Sequence, residues 1–214
     1  MMRVLRSCWL WLPLLLAGCG GSALTGGGIP SGRAQIEGVV VDALDPDRPV
    51  ADAEVTLAII LGGETRTALF TAETRTDAAG AFLFRNTPEG EAILRVTPPR
   101  GMHGRPTLAS VRLRGGDTAS LALAIEPDAA TATGATLTVI PERIETTLGT
   151  PVTVAATAML ANGQTVRPSW VVEGGIGNIT PQGRFVPRRI GSGQIRVRAG
   201  DREVVVPVVV AERE

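Results

Sequence analysis

Glu54-Val55-Thr56-Leu57-Ala58-Ile59 sets Val55, Leu57 and Ile59 on one side of an extended segment and Glu54, Thr56 and Ala58 on the other. A period of two held over six residues is the pattern of a half-buried β-strand. Upstream, Ile36, Gly38 and Val40 share one side of a second such segment, and Asp42-Ala-Leu-Asp-Pro-Asp-Arg-Pro49 between the two is rich in turn residues. Downstream, residues 61–73 are expected to extend a hairpin, and Asp77-Ala-Ala-Gly80 makes a tight connection into Ala81-Phe-Leu-Phe-Arg85. Further strands are expected at 92–96, 107–113 and 118–125. Seven or so short strands separated by turn signals predict a β-sandwich over residues 34–126.

The alternation stops at residues 127–135, Pro-Asp-Ala-Ala-Thr-Ala-Thr-Gly-Ala, which read as a linker. It resumes in Leu137-Thr-Val-Ile-Pro141, in one strand over 152–160 and in another over 164–172, with Asn162-Gly163 between them. Asn-Gly between two alternating runs is a strong hairpin signal. Strands at 184–186, 194–198 and 203–210 complete a second sandwich over residues 136–211. Pro207 is expected on an edge or at a bulge, because it has no N–H to give a ladder. The fold class is therefore all-β, with two sandwiches in tandem.

Two resemblances sharpen this reading. Ile36-Glu-Gly-Val-Val-Val-Asp42, Val50-Ala-Asp-Ala-Glu-Val-Thr-Leu57, Thr76-Asp-Ala-Ala-Gly-Ala-Phe82 and Pro88-Glu-Gly-Glu-Ala-Ile-Leu-Arg-Val96 occur in the order of the carboxypeptidase regulatory-like, transthyretin-like module, which the first segment resembles. That family implies a seven-stranded Greek-key sandwich; Ala92 stands where it usually has an aromatic residue. The second segment resembles a bacterial Ig-like domain of group 2 through Leu137–Pro141, Gly149-Thr-Pro-Val-Thr-Val154, Asn162-Gly163, Trp170, Ile179-Thr-Pro-Gln-Gly-Arg-Phe185 and Gly193-Gln-Ile-Arg-Val197. Trp170 is then the tryptophan packed between the two sheets.

The N-terminus reads as a targeting segment. Arg3 and Arg6 precede the apolar run Cys8-Trp-Leu-Trp-Leu-Pro-Leu-Leu-Leu16, which is about half of the ~20 residues a membrane-spanning helix needs. Leu16-Ala17-Gly18-Cys19 resembles the lipobox of bacterial lipoproteins. The resemblance implies that residues 1–18 are a signal peptide, that cleavage precedes Cys19, and that Cys19 carries a diacylglycerol and a further acyl chain such as palmitate. Two or more chains hold a protein stably to a bilayer where one does so only marginally. In that family Asp after the cysteine commonly retains the protein in the inner membrane. Gly20 stands there instead, which implies the outer membrane and an extracytoplasmic location. Residues 19–33 form a Gly- and Ser-rich tether. Gly26-Gly-Gly28 lacks the Gly-Lys-Ser/Thr ending of a phosphate loop.

Composition excludes several function classes. The 214 residues carry 21 basic groups, all arginine, against 21 acidic ones, so there is no basic footprint for nucleic acid. The two cysteines are Cys8, in the leader, and Cys19, so the mature chain has no internal disulfide. The single histidine, His103, cannot build the two-histidine zinc site of metallocarboxypeptidases, and no nucleophile motif accompanies it. Asp42, Asp45, Asp47 and Asp52 fit no calcium loop and read as a solvated turn. Phe82 and Phe84, on one face of their strand, are expected in the core. Asn178-Ile-Thr180 matches a glycosylation sequon that has no meaning behind a bacterial lipobox. No catalytic residue, metal, cofactor or small-molecule substrate is expected. The sequence thus predicts a non-enzymatic, lipid-anchored envelope protein with a structural or adhesive role toward a protein partner. The alternative is a glycan-binding lipoprotein serving polysaccharide uptake or cell-wall attachment.

Overall fold

A computed structural model of the chain describes residues 33–60, 68–127 and 134–213. The expected signal peptide, Cys19, the expected tether up to residue 32, residues 61–67 of the expected 61–73 hairpin and most of the expected linker lie outside the described residues.

The first segment supplies β1 (Ala34–Asp42), β2 (Glu54–Ile60), β3 (Ala68–Arg75), β4 (Ala81–Thr87), β5 (Gly90–Thr97), β6 (Thr107–Leu113) and β7 (Thr118–Ile125). The second supplies β8 (Thr136–Ile140), β9 (Ile144–Thr147), β10 (Val152–Thr153), β11 (Ala155–Met159), β12 (Thr165–Val166), β13 (Ser169–Glu173), β14 (Gly177–Ile179), β15 (Arg184–Pro187), β16 (Gly191–Ala199) and β17 (Arg202–Ala211). The all-β class stands.

Four sheets are formed, ordered β4-β1-β7-β13-β16-β17-β9, β3-β2-β5-β6, β12-β11-β8 and β10-β15-β14. The seven-stranded sheet belongs to both segments: β7 pairs in parallel with β1 and antiparallel with β13, with Trp170 opposite Ala122 and Val171 opposite Leu121. The β3-β2-β5-β6 sheet covers one face of this wall at its β4–β13 end. There Ile36, Phe82, Phe84, Leu121, Leu123 and Val171 meet Val55, Leu57, Leu94 and Val111 in one core. The two small sheets cover the other face, where Ala122, Trp170, Val172, Ile195, Val197, Val206 and Val208 meet Val154, Ile179 and Phe185. The two sandwiches therefore share a wall.

The sharing is written into β7. In Thr118-Ala-Ser-Leu-Ala-Leu-Ala-Ile125 the large residues Leu121, Leu123 and Ile125 face the first core, while Ser120, Ala122 and Ala124 face the second segment; every residue after Thr118 is buried. Small residues on one face let a second layer of backbone approach, and leucines on the other fill the wider gap. Burying a leucine stabilises by about 1.5–3 kcal/mol, so Leu121 and Leu123, both at most 1% exposed, anchor the wall.

The second segment departs from the sequence reading where single strands were expected. Residues 152–160 split at the buried Val154, whose N–H donates to Gly183 O at 2.8 Å; β10 pairs with β15, while β11 pairs with β8 and β12. Residues 164–172 split at Arg167-Pro168, since Pro168 offers no N–H and forces extended geometry on the residue before it. As a result β12 stays in a small sheet and β13 joins the wall. β9 and β14 had no clear alternating signal. The β11–β12 hairpin forms at Asn162-Gly163, but with a three-residue loop: Gly163 N–H donates to Leu160 O, and Gly163 has φ +83°. This is the turn-plus-left-handed-glycine connection and not the two-residue one. Gly183 is obligatory for two reasons, a φ of +79° and a Cβ position that would lie 2.2 Å from Val154 O. Pro207 faces Gln194 of β16, and β9 begins to pair with β17 only at Val208. Pro207 thus lies where β17 is still an edge.

Candidate interaction surface

The residues that carry aromatic or acid–base chemistry are mostly committed to structure. Trp170 is 2% exposed and donates Nε1–H to Pro181 O at 3.2 Å. Phe82 and Phe84 are buried edge to face with ring centroids 6.2 Å apart, as expected of a core pair, and Phe185 is fully buried. His103 is exposed in the β5–β6 loop. Asp42 and Asp45 serve their own turn, Asp42 Oδ1 accepting Leu44 N–H at 2.9 Å and Asp45 Oδ1 accepting Asp47 N–H at 3.3 Å, while Asp47 accepts Gln182 Nε2 from the second segment and Asp52 pairs with Arg75 at 3.0 Å. Among the described residues no three of His, Cys, Asp and Glu gather as a metal set. Asn178, the sequon residue, donates Nδ2–H to Glu37 Oε1 at 2.7 Å and ties the two segments together.

What the structure assembles is a seam. β6 ends its own sheet, and an edge strand presents backbone groups on every second residue. Those groups are met by side chains of the wall. Arg196 Nη2 donates to Ser110 O and, at 3.0 Å, to Ser110 Oγ; Arg198 Nη1 donates to Leu108 O at 3.2 Å; Glu173 Oε1 accepts Arg112 N–H at 3.2 Å. Arg196 is held in turn by Glu173 at 3.2 Å and Glu203 at 3.8 Å, and Glu173 also accepts Gln194 Nε2 at 2.7 Å. Leu108 O, Ser110 O and Arg112 N–H of the β6 edge are thus occupied from within the chain.

Other contacts extend the seam. Ala124 N–H donates to Ser169 Oγ at 2.9 Å, serving β7 just past the end of its pairing with β13, and Ile179 N–H of β14 donates to Ser120 Oγ at 3.3 Å. Glu126, 8% exposed, accepts Gly200 N–H at 2.7 Å and pairs with Arg105. Asp201 accepts Gly134 and Ala135 N–H; loss of water pushes its carboxyl up, but these bonds, its own N–H and the charge of Arg202 together outweigh that and hold it below its ordinary value.

Beside the seam lies an open cleft of about 620 Å³, walled by Glu91, Arg112 and Arg114 and floored by Ser192, Gln194 and Arg196. It is polar and lacks aromatic lining, so it offers charge and hydrogen bonds but no stacking platform. Arg196 and Arg198 were legible as alternating residues of the strand over 194–198. Their role was not, because nothing in the sequence says that β6 lies over them.

No family model matches the chain, and no curated protein matches it. Among solved structures it is similar to the TIE protein of Bacillus anthracis, at 13% identity over 86% of this chain and 34% of that one, with a TM-score of 0.37. It is similar to a streptococcal ancillary pilin at 12% identity over 84% and 61%, TM-score 0.35, and to (S)-allantoin synthase at 12% over 47% and 43%, TM-score 0.34. The chain spans less than two thirds of the length of each. At these scores the fold rests on the strand pairings themselves.

Proposed function

We propose that this chain is a non-enzymatic, outer-membrane lipoprotein, held through acyl chains on Cys19, whose two sandwiches act as one rigid spacer presenting loops and sheet faces to a protein partner. The observation that carries this is the shared seven-stranded wall with the β6 edge bonded to it. A hinge between domains would dissipate force and blur orientation, whereas a common sheet transmits both. The lipobox-like Leu16–Cys19 and Gly20 support the anchor and its membrane. A glycan platform has no comparable support, since Trp170, Phe82, Phe84 and Phe185 are all buried.

The test is Cys19→Ala in the native host. Acylation and membrane fractionation are expected to be lost together while the β-fold persists; a Cys19→Ala chain that stays in the membrane fraction would overturn the anchor. Cross-linking in the intact envelope is expected to capture a protein, and capture of polysaccharide alone would replace the spacer reading with the glycan one.

A further inference from the structure

Four chain segments meet at one end of the wall. β1 begins there, and Gln35 N–H donates to Asp117 O at 2.8 Å, which fixes the β6–β7 turn beside the start of β1. Asp117 Oδ1 receives Arg189 Nη2 at 2.7 Å, which fixes the β15–β16 turn beside both. Gly149 N–H donates to Pro187 O and Leu148 N–H to Ala211 O, which brings in the β9–β10 turn. This is also the end at which the chain arrives from Cys19, 14 positions before Arg33.

Exposed arginines and exposed aliphatic tips coincide on these turns. Arg114 and Arg188 stand exposed on adjoining turns, with Arg112 next to them at the end of β6; none of the three is in an ion pair among the described residues. Of the carboxylates nearby, Asp117 is buried on Arg189 and Glu173 is engaged by Arg196, while Glu89, which accepts Gly115 N–H at 3.3 Å, Glu91, opposite Arg112, and Glu212, next to Ala211, are in no ion pair among the described residues. Ile190 is 49% exposed and Leu148 37% exposed on the two turns that flank the end of β17. The opposite end of the wall carries turns built on Asp42, Asp45, Asp77 and Asp201, with Arg48, Arg100 and Arg167 exposed among them.

We infer that this end is a membrane-docking surface for anionic phospholipid: Arg112, Arg114 and Arg188 meet the phosphates while Ile190 and Leu148 enter the headgroup boundary. The inference deepens the lipoprotein reading and rests on it. An acyl anchor alone leaves the body free to tumble above the bilayer. A basic end next to the tether stands it upright, with the Asp-rich turns pointing away from an anionic surface that would repel them. Each arginine near such a surface contributes on the order of 1 kcal/mol, about a fivefold gain in binding.

The test uses the chain from residue 19 with Cys19→Ser, which keeps every described residue and removes acylation. Co-sedimentation with phosphatidylcholine vesicles is expected to rise when phosphatidylglycerol is added and to fall with salt. Arg112→Gln, Arg114→Gln and Arg188→Gln combined are expected to lower it about 100-fold, while Arg100→Gln, at the far end, leaves it unchanged. A spin label at Ile190→Cys, the sole cysteine of that chain, is expected to be shielded by lipid, and one at Leu44→Cys to stay accessible. Binding that ignores phosphatidylglycerol or the triple variant, or a shielded position 44 with an accessible 190, would overturn the inference. Because no acyl chain is present, vesicle binding is read separately from Cys19→Ala, so failure of the docking surface and failure of the anchor are distinguishable.

Discussion

β7 and β17 lie in the same sheet, and their sequences invert their fates. β17, Arg-Glu-Val-Val-Val-Pro-Val-Val-Val-Ala, is the more hydrophobic, yet only one of its faces is covered: Val206, Val208 and Val210 are buried, while Val205 and Val209 are 45% and 37% exposed. β7, with three alanines, a serine and a threonine among its eight residues, is buried on both faces. What decides burial is side-chain size on each face, not total hydrophobicity. Small residues at 120, 122 and 124 allow a second layer to approach β7, and among the described residues no layer covers Val205 and Val209.

The sharpest way to break this comparison is to place a charge on the small face of β7 and on the open face of β17. Ala122→Asp buries a carboxylate opposite Trp170 with no cation to pair it, which costs several kcal/mol. It is expected to abolish folding of both segments at once, as one lost transition in circular dichroism. Val209→Asp is expected to change stability by less than about 0.5 kcal/mol. Loss of only the second segment's structure in Ala122→Asp would show that the wall is not a common element.

Leu121→Ala tests the other face of β7. Leu121 is 1% exposed in the first core, and truncation is expected to cost about 2–5 kcal/mol, measured as a lowered urea midpoint with an unchanged slope. An effect under 1 kcal/mol would mean that the first core closes without this strand.

Much of this was legible and some was not, for identifiable reasons. β2, β5 and β6 alternate from end to end and β4 nearly so, so a period-two reading recovers them; β1 shifts register against β4 and β7 is buried on both faces, but their apolar residues still mark them as strands, and Trp170, Phe82 and Phe84 follow from size and phase. In the second segment the chain changes sheets in mid-run, at Val154 and at Arg167-Pro168. At Val154 alternation carries through the switch because both halves still bury every other residue, whereas beyond Pro168 Ser169 to Val172 are all buried, so the two-sided β13 has no alternation to mark where it begins. β9 and β14, at four and three residues, are too short to show a period. The seam was invisible because it depends on which strand lies over which: Arg196 and Arg198 look like solvent-facing arginines of any strand until β6 supplies the carbonyls they meet. Ser120 and Ser169 likewise read as ordinary strand polar residues.

Arg196→Met probes that seam. The methionine keeps the aliphatic cover but removes the donors to Ser110 and leaves Glu173 with Gln194 and the Arg112 amide. With Arg196 and Glu173 both mostly buried, a loss of about 2 kcal/mol is expected, in the range of hydrogen bonds to charged groups. Faster amide exchange at Arg112 is expected with it, because its acceptor is no longer held in place. Stability lost without that local exchange would place the effect away from the β6 edge. Ser169→Ala is the milder counterpart, stranding the buried Ala124 N–H; a cost of about 1–2 kcal/mol is expected, with Ser169→Thr restoring part of it.

The smallest expected effect falls on the open face of β17. Val205→Thr and Val209→Thr keep the β-branched shape and the strand preference while exchanging a methyl for a hydroxyl. At 45% and 37% exposure little water-excluded area is at stake, so the double variant should unfold within about 0.5 kcal/mol of the parent. Val206→Thr, on the covered face of the same strand and fully buried, places its hydroxyl among Val172, Ile195 and their neighbours and should cost about 1–3 kcal/mol. The ratio of these two losses measures how one-sided β17 is. If the exposed pair cost as much as Val206→Thr, and the loss grew with protein concentration, the open face would be covered in solution by a second molecule. The contrast with β7 would then be one of timing, a second layer added by association instead of by folding.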